Sequence, residues 1–63
     1  MYFQCDLRSD HHRLTCWLKQ EPGVQRGALV TLKGDDRVWE VVRMSTTALQ
    51  APPDTTWRVG GLL

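Results

Sequence analysis

The stretch Gly27–Met44 constrains this chain most. Two arms, Leu29-Val30-Thr31-Leu32 and Val38-Trp39-Glu40-Val41-Val42, flank the polar Gly34-Asp35-Asp36. β-branched and aromatic arms around a Gly/Asp turn predict strand, tight turn, strand. Pairing Leu32 with Trp39 and Val30 with Val41 leaves a two-residue turn at Asp35-Asp36. It also puts Val30, Leu32, Trp39 and Val41 on one face. The other face still carries Leu29 against Val42, with Val38 and Met44 nearby. Apolar residues on both faces imply a strongly curved sheet, a closed barrel or a covered outer face.

The first eighteen residues show a mirror pattern. Phe3, Cys5 and Leu7 alternate with Gln4, Asp6 and Arg8, and Leu14, Cys16 and Leu18 alternate with Arg13, Thr15 and Trp17. Folding about Asp10-His11 sets Phe3 against Leu18, Cys5 against Cys16 and Leu7 against Leu14. All six then share one face, and a slip of one residue would turn one set to water. Polar Ser9-Asp10-His11-His12 supplies the turn. Residues 19–26 read as a loop, with Pro22-Gly23 at the centre of a type II turn.

Residues 45–55 have no apolar period and contain Pro52-Pro53, which predicts a second loop. Thr56–Val59 reads as a short last strand with Trp57 and Val59 on one side. Residues 60–63 read as a flexible end. The expected architecture is all-β: a small SH3-like barrel of about five antiparallel strands over residues 1–59.

At 63 residues, a domain buries only about 60% of the surface its unfolded chain exposes. That leaves little room for a core and an enclosed active site together, which weighs against an enzyme. Eight Lys/Arg against seven Asp/Glu give a net charge of +1. Overall charge therefore offers no general argument for nucleic acid, whose binders rely on phosphate neutralisation. Two cysteines are too few for a disulfide-rich secreted scaffold. No run approaches the length of a membrane span, and the N-terminus shows no export signal. The expectation is a cytoplasmic protein without membrane association or cofactor.

The run Cys5…Trp17-Leu18…Gly23-Val24…Gly27–Lys33…Val38-Trp39-Glu40-Val41-Val42 resembles small uncharacterised proteins encoded by tailed bacteriophages and prophages. Those proteins open with an aromatic-rich hairpin, then a Gly-x-x-Val-x-Leu-Lys strand and a Trp-x-Val-Val strand, motifs shared with SH3-like and KOW-type barrels. The likeness covers about the first two-thirds of the chain. It implies a phage setting, hence a host-cell cytoplasm, and transfers no functional residue.

Candidate sites fall into two groups. Trp17, Leu29, Val38, Val42 and Met44 are candidates for a protein interface, because they lie on the face away from the paired apolar set. Arg8, His11, His12, Arg13, Arg43 and Arg58 are candidates for an anion or nucleic-acid contact, with Trp17 stacking. The histidines would strengthen it below about pH 6.5 as they protonate.

Cys5 and Cys16 read as small buried hydrophobes. A zinc site joining them to His11-His12 is disfavoured, since the cysteines lie about 17 Å of extended strand from the turn. No catalytic constellation emerges: Ser9 lies near His11 with nothing to orient the imidazole. The expected function is a non-catalytic binding module that contacts a host or phage protein, as an accessory or counter-defence factor. The alternatives are a nucleic-acid-binding barrel, and a structural or assembly protein acting as a homo-oligomer.

Overall fold

A computed structural model describes all 63 residues. It is all-β, with six strands: β1 (Tyr2–Ser9), β2 (His12–Lys19), β3 (Leu29–Leu32), β4 (Val38–Leu49), β5 (Thr56–Trp57) and β6 (Val59–Leu62). They form one open sheet in the order β5-β2-β1-β4-β3-β6. The pairs are antiparallel except β2 with β5, which is parallel. The expected five antiparallel strands therefore become six in a mixed sheet. The extra strand arises because the terminal segment pairs first with β2 and then, after Arg58 alone, with β3.

The first hairpin has the expected register, with Phe3 opposite Leu18, Cys5 opposite Cys16 and Leu7 opposite Leu14. Its turn is Asp10-His11, where Asp10 adopts φ 52°. Asp is among the few L residues that tolerate this left-handed region. The loop turn at Pro22-Gly23 also forms: Val24 N–H donates to Glu21 O at 3.1 Å, with Gly23 at φ 89°. A side chain at Gly23 would meet Leu62 as well as backbone strain, since an added Cβ would lie 2.5 Å from Leu62 Cδ1.

The second hairpin is paired differently from the expectation. Val30 faces Trp39, Thr31 faces Val38, and Leu29 faces Glu40 rather than Val42. The reason is the turn. Asp35 N–H donates to Leu32 O at 3.1 Å, with Gly34 at φ 87°. Asp35 Oδ1 then accepts from Arg37 N–H at 2.7 Å. Gly34 supplies the positive φ and the Asp35 side chain extends the connection, so the turn is longer than Asp35-Asp36. The shift is even, so the faces survive: Val30, Leu32, Trp39 and Val41 are all buried.

The expected loop over residues 45–55 is strand as far as Leu49. β4 is longer than the part of β1 it pairs with, and the excess is absorbed at two irregularities, between Phe3 and Cys5 and between Asp6 and Leu7. Each interrupts the two-residue alternation, which hides the strand from a periodicity argument. Ser45 Oγ helps hold one of them, accepting from Thr47 N–H at 3.1 Å and donating to Thr47 O at 2.9 Å. Residues 60–62, expected to be flexible, lie in β6 and pair with β3. Leu63 N–H donates to Leu29 O at 3.0 Å.

The core comprises Cys5, Leu7, Cys16, Leu18, Val24, Val30, Leu32, Trp39 and Val41, with Phe3, Leu14, Ala28, Met44, Trp57 and Val59 packed around it. Leu7 is 0% exposed. The Trp39 indole N–H is buried without a partner, and such a group costs about 1–3 kcal/mol.

A chain of this length has roughly 3–9 kcal/mol of stability in total. Leu7→Ala therefore removes a large part of it, about 2–5 kcal/mol. Trp39→Phe costs less than about 1.5 kcal/mol, because losing the orphaned N–H offsets lost packing. Urea denaturation of the two variants checks both values.

Candidate binding site

The topology gathers one concave site. Tyr2 and Lys19 are opposite each other at the open end of the first hairpin. Trp57 pairs with neighbouring Leu18, and Val59 pairs with Leu32 just before Lys33. Arg58 lies between β5 and β6, and its carbonyl accepts from Lys33 N–H at 2.9 Å. The ends of β1, β2 and β3 thus meet around the β5–β6 junction.

Between them lies a cleft of about 550 Å³ lined by Tyr2, Lys19, Glu21, Lys33, Trp57 and Arg58, with Pro52, Thr56 and Val59 completing the wall. Its volume is within the usual range for ligand sites. Three cations face one carboxylate. None of the three has a carboxylate partner within 4.0 Å, because the molecule's ion pairs lie elsewhere. Tyr2 and Trp57 are both partly buried, and Trp57 also packs against the core.

The cationic residues expected to act together are dispersed. Arg58 is in the cleft, whereas His11, His12 and Arg13 are at the opposite end of the first hairpin. Arg8 Nη2 donates to Glu40 Oε1 at 2.6 Å, and Arg43 Nε lies 4.0 Å from Asp6. Asp6 also accepts from Thr15 Oγ1 at 2.8 Å. Arg37 Nη2 lies 3.3 Å from His12 Nε2. His11 and Arg13 are exposed.

The apolar candidates also divide. Leu29 and Val38 are 45% and 43% exposed on the outer face, and Val42 is partly buried. Met44 instead packs against the core opposite Cys5. The irregularity between Asp6 and Leu7 turns it inward relative to the alternation expected from Val42. Trp17 is on the outer face but partly covered. Its backbone N–H donates to Thr55 O at 3.1 Å, and it pairs with Thr56 of β5.

Sequence reasoning missed Lys19, Lys33, Glu21, Tyr2 and Trp57 as site residues. Lys19 is the last residue of β2 and Lys33 follows β3, with a loop and a strand between them. Only their placement at the ends of strands that converge could have indicated a common site.

Cys5 and Cys16 are free thiols, each 1% exposed. Burial, and secondarily the Asp6 carboxylate, push the Cys5 thiol up to about 11. Burial, then Cys5, then Asp6 push Cys16 up to about 12. Neutral, buried thiols are poor nucleophiles and poor metal ligands.

Compared with known proteins, the chain matches no family model, no curated protein and no solved structure. No helix is long and apolar enough to cross a membrane.

The thiols predict an alkaline stability profile. Their folded pKa values lie above the ordinary 9.0. The unfolded chain therefore loses these protons first, and the stabilisation present below pH 9.0 falls as pH rises towards 11. Each thiol contributes about 1.4 kcal/mol per pH unit in that window. Urea midpoints fall across it, and fall less steeply in a Cys5→Ala/Cys16→Ala variant.

Proposed function

We propose that this chain is a non-catalytic binding module of the small SH3-like barrel type, and that its ligand is a nucleic acid held in the end cleft. The carrying observation is the convergence of unpaired Lys19, Lys33 and Arg58 on a concave site walled by Tyr2 and Trp57. Cations supply phosphate affinity, and aromatic rings give bases a surface. The barrel reading is supported by the single residue, Arg58, that joins the two edge strands and draws the sheet round on itself. The non-catalytic reading is supported by burial of both thiols, which keeps them neutral and away from solvent. The phage-like pattern gives the proposal its setting, in an infected bacterial cell.

Gel shift at low salt with single- and double-stranded DNA and RNA tests the proposal. The expected result is a shift that weakens as salt rises. Neutralising two or three phosphates gives a slope of log K against log salt of about −1.4 to −2 for single strands. A Lys19→Gln/Lys33→Gln/Arg58→Gln variant loses the shift. No shift with any of the four nucleic acids sinks the proposal.

A second reading is contact with another protein chain through the outer face. Leu29 and Val38 favour it, as large exposed side chains on the same face of the paired strands β3 and β4. Its simplest form is self-association. Sedimentation is then concentration-dependent, and Leu29→Asp/Val38→Asp restores the monomer. A strict monomer in the unmodified chain counts against that form.

A further inference from the structure

We infer that the end cleft selects single-stranded over double-stranded nucleic acid, by seating unstacked bases against Tyr2 and Trp57 while Lys19, Lys33 and Arg58 follow the phosphates. This rests on the nucleic-acid reading above and sharpens it. Three observations carry it. First, the cations and rings share one concavity rather than lying on separate surfaces. A recessed ring can reach a base face only when that base has left its stack, and in a duplex both faces of every interior base are already occupied.

Second, the molecule measures only 29 × 21 × 21 Å. A cleft at one end of so small a body accepts an extended strand, but cannot enclose a duplex whose major groove alone is about 12 Å wide. Third, the tip of the first hairpin is the weaker cationic surface. Arg8 is held by Glu40, Arg37 lies by Asp35, and Asp10 is at the turn, so Arg13 is the one arginine there outside an ion pair, against three free cations at the cleft.

The contacts divide by chemistry. Phosphates are neutralised by ammonium and guanidinium groups, which sets the salt dependence. Stacking on the rings is largely independent of salt and of base identity. Glu21 is the one carboxylate in the wall, and it disfavours phosphate on its side of the cleft. The strand backbone is therefore directed along Lys19, Lys33 and Arg58.

The test is fluorescence anisotropy with end-labelled twelve-nucleotide oligo(dT) and oligo(rU), and a hairpin duplex of equal charge, over a salt series. The expected result is at least tenfold tighter binding of the single strands. Tyr2→Leu and Trp57→Leu keep apolar bulk and remove the ring. Each weakens single-strand binding by about five- to a hundredfold, leaves the salt slope unchanged and leaves duplex binding unaffected. Arg58→Gln, at an exposed position, lowers the salt slope instead.

Thermal melts separate misfolding from lost stacking. If Trp57→Leu proves unfolded, Tyr2→Leu decides the matter. Equal affinity for duplex and single strands overturns this inference while leaving the nucleic-acid reading intact. Ring-removing variants that melt normally and bind normally also overturn it. No binding to any probe overturns both.

Discussion

Hydrogen bonding on both sides of β1 is the constraint on which the rest of the structure depends. This strand pairs with β2 along its whole length and with β4 through two irregularities. Its inward residues Cys5 and Leu7 are 1% and 0% exposed. The straight ladder on one side and the interrupted one on the other give the sheet its curvature, because the longer strand must bend around the shorter. Curvature brings the ends of β2 and β3 close enough for one short terminal segment to pair with both. The cleft follows from that convergence. Its cations are on three separate elements, and the bend in β4 places them at one end of the molecule.

The balance of charge also has a structural explanation. A net charge of +1 hides an uneven distribution. Arg8 with Glu40, Arg37 with Asp35, and Arg43 with Asp6 compensate one another. Of the five cations outside those pairs, Lys19, Lys33 and Arg58 line one concavity, and Arg13 and Arg26 lie apart from it. Exposed ion pairs contribute little to folding. Their consequence here is electrostatic: they offset three arginines outside the cleft, while Lys19, Lys33 and Arg58 within it have no ion-pair partner. Clefts with low-dielectric walls reinforce the field of such cations.

Much of the fold was legible in the residues, and the rest was hidden for identifiable reasons. The first hairpin was readable to the residue because its apolar alternation runs unbroken on both arms. The inner face of the second hairpin was readable, but its register was not. Gly34, Asp35 and Asp36 offer competing turns, and only the Asp35–Arg37 bond decides between them. The strand character of Ser45–Leu49 and the inward turn of Met44 were concealed by the bulges, which break the period that pattern reasoning depends on. Of the binding-site candidates, only Arg58 proved to lie in the cleft. Local spacing says little about sites assembled from the ends of distant strands.

β6 shows how so small a sheet manages its exposed border. Val59-Gly60-Gly61-Leu62 has no charge and no proline, the devices by which edge strands usually resist pairing with other chains. Its protection is entropic and steric. The strand is only four residues long, and its two glycines lose more backbone freedom on ordering than any other residue type. An incoming chain would gain few hydrogen bonds there and find no side chains at Gly60 and Gly61 to pack against. The border is guarded by having little to offer.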